Sequence, residues 1–311
     1  MAVSIFSLIE HNKGESLHFH ILSDGISSEN LEKLQEMISE SGKALTVYPL
    51  DALEQKLRDR VYGLDTGRFR PTTLARLLLG SILPETITKC LYIDCDTVVL
   101  RPIRSLYRRK LGEQLAALAP EPTIYPEVRK LLELAEDAPY YNAGVLLLNL
   151  SLWREQNMEE QCFAYYNLCG GKLPFNDQDI LNHVLAGQIR TLPQMYNFFS
   201  NYYYFRFGTL LNVAPWYGLS ETPESFHVSK HHPAIVHFAG DERPWTGGSL
   251  NHYKRAYDLY LNRTAFRGQK KAAGRHLYMA AYHAMNVLTF LMPRTRKLIS
   301  DKYYERCIRK K

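Results

Sequence analysis

Cysteine is scarce and unpatterned in this 311-residue chain: Cys90, Cys95, Cys162, Cys169 and Cys307 are odd in number and include no C-x-x-C pair. That argues against a disulfide framework and against a clustered zinc site, and fits a reducing, cytoplasmic compartment. Long apolar runs are also lacking. The longest uncharged stretch, from His276 to Pro293, is interrupted by His283 and Asn286, which argues against a membrane span. The opening MAVSIFSLIEHNKG has neither the basic n-region nor the A-x-A site of a signal peptide. There is no internal repeat and no polar low-complexity tract. With 46% hydrophobic and 23% charged residues, a folded chain with a sizeable core is expected, soluble or peripheral to a membrane.

The formal charge of +6 would imply a polyanionic partner only if it were concentrated, and it is. From Arg263 to Lys311 there are 13 Lys and Arg against Asp301 and Glu305, a net +11 that leaves −5 on the first 262 residues. No nucleic-acid recognition motif accompanies this tail. Leu277, Tyr278, Met285, Leu288, Phe290 and Leu291 lie between its cationic clusters, as in a helix resting on anionic lipid; a solvated helix packed on the domain is the alternative.

Periodicity predicts alternating helices and strands. Val3, Phe6 and Ile9 recur at helical spacing. Leu17, Phe19 and Ile21 alternate with His18 and His20 as in a half-buried strand, and Ser28 is placed to cap the helix that follows. A strand is expected over Ala44 to Tyr48 and a helix over Thr72 to Leu83. Apolar strands are expected within Cys90 to Leu100, over Val145 to Leu150 with Ser151 capping the next helix, and over Ala234 to Phe238. Central strands that are apolar rather than alternating imply a sheet covered on both faces, hence an α/β fold. The aromatic segment from Asn197 to Leu219 lacks a clean period and is expected to make an excursion over the sheet, with Tyr202 to Tyr217 either stacking on an acceptor sugar or packing as a lid.

Asp94-Cys95-Asp96 places two carboxylates at the end of the apolar strand CLYI. Ligands collect at the carboxyl ends of strands in open α/β sheets, and two acids inside an apolar run need a compensating cation. Mn²⁺ or Mg²⁺ would provide it; acids of a surface turn or a structural ion pair are the alternatives. Spacing alone carries no weight, since a D-x-D triplet is expected about once by chance in a chain this long, and Asp177-Gln178-Asp179 is a second. The string LYIDCDTVV also fits the nucleophile motif of haloacid-dehalogenase-type phosphatases, with Asp94 as the attacking acid. His237, at the end of AIVHF, offers an imidazole, and the following Gly240 and Arg243 suit a diphosphate.

In combination and in order, the strings HFHILSDGIS, TTLARLLLGSILP, CLYIDCDTVVL, YYNAGVLLLNLSLWR, FNDQDILN and VHFAGDERPW resemble glycosyltransferase family 8, the retaining enzymes that include lipopolysaccharide galactosyl- and glucosyltransferases of bacteria. The resemblance implies a nucleotide-diphospho-sugar transferase fold of the GT-A type, a mixed sheet covered by helices, over residues 1–245. A basic helical extension is expected over 246–311. It further implies a UDP-sugar donor, UDP-galactose or UDP-glucose, a Mn²⁺ or Mg²⁺ cofactor, a saccharide or lipid-linked acceptor, and work in the cytoplasm or at the inner face of the cell membrane. Carried over by position, Asp94, Asp96 and His237 match the metal ligands; Arg76, Asn142, Ala143, Asp177 and Gln178 match residues around the donor sugar; Gly240 and Arg243 match the diphosphate loop, where the family more often has Lys. Gln178, Asp177 and Asp179 stand where a double-displacement nucleophile would be sought, although an amide is a poor one, and front-face transfer with the leaving phosphate as base is the other route. Family members begin with a strand and loop that hold uracil and ribose. Met1-Ala2-Val3 matches the helix after that strand, so the resemblance implies a sheet short of its first strand and leaves a non-catalytic sugar-nucleotide-binding protein as an alternative.

Overall fold

The computed structural model describes the whole chain except Ala52, Arg275, Lys310 and Lys311, and gives backbone alone for Pro293 and residues 303–309. The tail residues Arg275, Glu305, Arg306, Cys307, Arg309, Lys310 and Lys311 therefore lie outside the described side chains. Among the described residues there are nine strands: β1 (His18–Ser23), β2 (Ala44–Pro49), β3 (Lys89–Ile93), β4 (Thr97–Val99), β5 (Ala116–Pro120), β6 (Tyr141–Asn149), β7 (Ile189–Thr191), β8 (Phe198–Phe199) and β9 (Ile235–His237). They form a parallel pair β1-β2, a mixed sheet in the order β3-β6-β5-β7, and a small sheet in the order β4-β9-β8. In the mixed sheet β6 runs antiparallel to both β3 and β5, while β7 is parallel to β5.

The apolar strand composition follows from burial on two faces. Ala116 to Ala119 and Val145 to Leu148 are fully buried. Alternate residues along β5 and β6 enter different clusters: Ala116, Leu118, Leu146 and Leu148 join the larger core, with Trp153, Tyr166 and Ile180. Ala117, Ala119, Val145 and Leu147 join a second one with Leu8, Leu106 and Ile235. A strand with polar residues at every second place could fill neither pair of faces.

Several local expectations shift. The helix after β1 is capped by Ser27, whose hydroxyl accepts the Asn30 N–H, and not by Ser28. Asn149, at the end of β6, caps the helix Leu150–Glu155 by accepting the Leu152 N–H, in place of Ser151. The stretch after Pro71 is a 3₁₀ helix to Leu78 followed by one α-turn, Leu79–Ile82. The run from Cys90 to Leu100 is two strands in two sheets, broken at Asp94-Cys95-Asp96. The aromatic segment is a packed layer: Tyr202, Trp216, Tyr217 and Phe205 are buried in the main core, so those rings are unavailable for stacking on a sugar.

The chain after residue 245 is also packed on this body. Tyr253 and Tyr260 belong to the main core, and Tyr260 shares a 2.7 Å hydrogen bond with His11. The last two helices, His276–Leu288 and Pro293–Arg309, and the turn between them bury mostly polar side chains, Met279 apart. His283, Asn286, Thr289, Arg296 and Lys297 are buried, whereas Leu277, Val287, Leu288, Leu291 and Leu298 are between 60% and 89% exposed.

Candidate functional site

The break in the run from Cys90 to Leu100 builds the site. β3 ends at Ile93, the chain turns through Asp94 and Asp96, and β4 leaves for the other sheet, where Thr97 pairs with His237 of β9. The Phe238 N–H donates to the Asp96 carbonyl at 2.8 Å. This register brings an imidazole 141 positions away in sequence beside the two acids: His237 Nε2 lies 3.2 Å from Asp96 Oδ1 and 3.8 Å from Asp94 Oδ2. One donor atom from each of the three residues lies within 4.8 Å of the others. Two carboxylate oxygens and one neutral imidazole nitrogen are a donor set that suits Mn²⁺ or Mg²⁺ and lacks the thiolates a softer metal would select.

The imidazole is oriented from behind. Asn197 donates through Nδ2 to Asn142 Oδ1 at 2.7 Å, so its own Oδ1 accepts from His237 Nδ1 at 3.0 Å. The ring proton is thereby placed on Nδ1, which leaves the Nε2 lone pair facing the acids. Burial, the largest single influence, acts to lower the pKa of His237, but Asp96, Asp94 and Glu121 together outweigh it and hold the value above the ordinary range. For Asp96 burial acts to raise the pKa, and His237 and Arg243 reverse that and lower it. Gly144 makes the approach feasible: a Cβ there would fall 2.3 Å from His237 Cε1, which gives the Asn142-Ala143-Gly144 string a steric reason.

Arg76, which as a lone cation on an apolar face would ordinarily reach for water, is buried instead. Its guanidinium donates to Asp94 Oδ1 at 2.9 Å, to the Ala143 carbonyl and through Nε to the Thr73 carbonyl, forms an ion pair with Asp177 Oδ2 at 3.0 Å, and lies over the Tyr92 ring. Tyr92 also donates to Asp94 Oδ1, at 2.8 Å. Asp94 is therefore held from two sides, unlike an acid free to attack a phosphoryl group. The pKa of Arg76 is raised: burial opposes its charge, but Asp177 and Asp94 prevail. Asp177 opens the helix Asp177–Val184 with Asn176 at the cap position, and burial pushes its carboxyl up to about 6 against the pull of Arg76.

Gln178 is saturated. Its Oε1 accepts from Asn142 Nδ2 at 2.6 Å and the Ala143 N–H at 3.1 Å, and its Nε2 donates to Glu121 Oε2 at 3.0 Å and the Tyr140 hydroxyl at 2.9 Å. Asp179 sits behind the wall, fully buried, with Oδ1 accepting from the Tyr140 hydroxyl at 2.7 Å and Oδ2 from the Phe175 N–H at 2.7 Å; burial raises its pKa to about 7.

Arg76, Asp94, Asp96, Asn142, Ala143, Asp177, Gln178 and His237 line one cleft of about 1490 Å³, together with Gly240, Arg243 and residues of β1 and β3, whereas Asp179 and Asn197 stand behind it. Gly240 has φ +92°, a conformation that favours glycine, and its carbonyl accepts from Arg243 Nε at 3.1 Å. Two members of the site were not visible in the sequence. Glu121 follows β5, lines the cleft, is raised to about 7 by burial, and accepts from Asn142 Nδ2 at 3.0 Å. Asn197 orients His237. Position after a fully apolar strand was a usable signal for Glu121; Asn197 carried none.

Residues 1–248 match the sequence profile described as glycosyl transferase family 8. The chain is 26% identical over 267 residues to General stress protein A of Bacillus subtilis, a match covering 85% of this chain and 88% of that protein. It is 22% identical over 290 residues to a lipopolysaccharide 1,2-glucosyltransferase of Escherichia coli, covering 90% and 80% respectively. Its fold is similar to the crystal structure of the galactosyltransferase LgtC in complex with donor and acceptor sugar analogs, with a TM-score of 0.69 at 21% identity over 85% of this chain and 91% of that one. With the family profile spanning most of its length, this chain belongs to glycosyl transferase family 8 and is a glycosyltransferase.

Proposed function

We propose that the protein is a metal-dependent, retaining hexosyltransferase that moves galactose or glucose from its UDP conjugate to a saccharide or lipopolysaccharide acceptor at the cytoplasmic face of a membrane. In this reading residues 1–245 carry the catalysis and the helical residues 246–311 serve attachment. The observation that supports it most is the meeting of Asp94, Asp96 and His237 in one cleft with two cations, Arg76 and Arg243. Membership in a transferase family also displaces the phosphatase reading of Asp94.

Asp94, Asp96 and His237 would hold the divalent ion, Mn²⁺ in the first place. Bound there, the ion would stabilise the charge that develops on the departing diphosphate. Arg243, on the Gly240 loop, would add a second fixed positive charge at the same end. Arg76 is assigned to positioning: it holds Asp94 toward the ion and Asp177 toward the sugar. The Asn142, Ala143 and Gln178 network, its own hydrogen bonds already made, would form the rigid wall on which the sugar rests, and Glu121, with a pKa near neutrality, would orient the acceptor hydroxyl. Gln178 has no spare lone pair or proton, and Asp179 reaches the cleft only by breaking two hydrogen bonds. This favours front-face transfer, with the leaving phosphate taking the acceptor proton, over double displacement.

The test is UDP release from a panel of UDP-sugars with and without Mn²⁺. Asp96→Asn and His237→Ala are each expected to lower the Mn²⁺-dependent rate by about 100-fold or more. Release that persists in chelator, or phosphate release that survives His237→Ala, would overturn the reading.

A second proposal concerns the membrane. No described helix is long and apolar enough to cross a bilayer. The outward apolar side chains of the last two helices, in the strongly basic tail, support peripheral attachment to anionic lipid.

A further inference from the structure

The loop that carries Arg243 also carries Glu242, which is turned away from the cleft and buried, 2% exposed. Glu242 ties the loop to the C-terminal helices. Its Oε2 accepts from Asn251 Nδ2 at 3.1 Å, and its Oε1 accepts from Asn286 Nδ2 at 3.1 Å and lies 3.2 Å from His283 Nδ1. The His283 Nε2 accepts the Leu250 N–H at 2.9 Å, so the ring proton sits on Nδ1, the nitrogen beside Glu242. Asn286 is itself fixed by Arg296 Nε, 2.7 Å from its Oδ1, and Arg296 donates again to the Tyr282 hydroxyl. One residue earlier, Asp241 accepts from the Tyr278 hydroxyl at 2.7 Å. On the other side of the loop the Ala272 N–H donates to the Trp245 carbonyl and its carbonyl accepts from the Gly247 N–H. A Cβ on Gly274 would lie 1.9 Å from the Gly247 carbonyl oxygen, so glycine there permits the two backbones to touch. The loop makes turns of its own, the Arg243 N–H donating to the Asp241 carbonyl and the Thr246 N–H to the Arg243 carbonyl, and Trp245 packs on Tyr257; residues 272–296 add the contacts that tie it to the C-terminal helices.

We infer that Glu242 is a positioning residue for nucleotide binding: by clamping the loop to the last two helices it holds Gly240 and Arg243 where they meet the diphosphate, and the C-terminal extension is thereby part of the donor site. The inference rests on the reading of Gly240 and Arg243 as the diphosphate loop. It makes a prediction of definite sign. Deleting a carboxylate near an anion site should, by charge alone, tighten anion binding; loss of positioning should weaken it.

UDP binding in the presence of Mn²⁺, measured calorimetrically on the full chain, separates the two. Glu242→Ala and Asn286→Ala, the latter 44 positions away on another element, are each expected to weaken UDP by about tenfold, as for other outer partners of a binding group. The double variant should be little worse than the stronger single one, and hydrogen exchange should quicken in residues 240–247 with the rest of the chain unchanged. Should Glu242→Ala not fold, Asn286→Ala and Glu242→Gln carry the test, with Glu242→Gln intermediate because one acceptor oxygen is lost. UDP bound as tightly or more tightly by folded variants would overturn the inference. Arg243→Ala is the control: if it leaves UDP binding unchanged, the diphosphate-loop reading itself is wrong; if it weakens binding while Asn286→Ala and Glu242→Ala do not, the clamp alone is wrong.

Discussion

At the scale of single residues, the site concentrates acids that burial makes reluctant to ionise. Asp177, Asp179 and Glu121 are raised to about 6, 7 and 7 respectively, with burial the largest cause in each. For Asp179 the folded value lies above the ordinary carboxyl value near 4. Its contribution to stability is therefore fully present below about pH 4 and is lost as the pH rises through the folded value of about 7. Asp179→Asn, close in shape and without a titrating proton, should flatten that decline. The difference in urea unfolding free energy between pH 5 and pH 7.5 is expected to shrink by at most about 1.4 kcal/mol per pH unit, and an unchanged difference would show that Asp179 titrates normally. Legibility at this scale followed local contrast. Asp94 and Asp96 stood out because they interrupt an apolar run, and Arg76 because it interrupts an apolar helix face. Glu121, between two prolines, and Asn197, before two phenylalanines, interrupt nothing; their partners Gln178 and His237 are 57 and 40 positions away, and only the fold creates the association.

At the scale of elements, the register of β4 against β9 matters most, and the sequence contained it only as two apolar triplets. Val98 pairs with Val236 and Val99 with Ile235. All four side chains are fully buried, so a slip by one residue would reverse every side chain and withdraw His237 from the acids. The short turn Leu79–Ile82 shows a different dependence. It continues the 3₁₀ helix that carries Arg76 and ends just before Pro84; the Leu79 carbonyl accepts the Leu83 N–H, but the carbonyls that follow are short of helical partners. Arg154 supplies them, with hydrogen bonds to the carbonyls of Gly80, Leu83, Pro84 and Ile87 between 2.8 and 3.1 Å. Arg154→Ala should cost about 2–3 kcal/mol in urea unfolding. Lysine should restore only part of it, since a point charge cannot reach four carbonyls as a planar fork does. Arg154 touches none of the cleft acids, so activity well below the melting temperature should change by less than about threefold. A larger loss would mean that this turn transmits strain to Arg76.

At the scale of the whole molecule, the last two helices reverse the usual rule that apolar side chains face inward. Their inward residues His283, Asn286 and Arg296 are polar and satisfied by one another and by Glu242, so these helices are fixed largely by polar contacts, with Met279 a buried apolar exception. Leu277, Val287, Leu288 and Leu291 are left 72–89% exposed. Clustered in a basic segment, such a surface is what an interfacial helix requires: apolar area to enter the headgroup region and positive charge to draw it to anionic lipid. The concentration of Lys and Arg in the sequence pointed to this region, but which face turned outward was fixed by tertiary hydrogen bonds that no sequence pattern encodes. Leu288→Ser with Leu291→Ser should lower sedimentation with vesicles of mixed zwitterionic and anionic lipid by about tenfold or more, because each lost side chain forfeits roughly 1.5–3 kcal/mol of burial. Both positions are exposed, so the melting temperature and UDP release from the donor in the presence of a water-soluble acceptor should be unchanged. Raising salt should weaken the parent's binding by screening the charge component, while vesicles of zwitterionic lipid alone should bind weakly at any salt. If the double variant sediments like the parent, the exposed leucines are not what meets the membrane, and the apolar face must serve another partner.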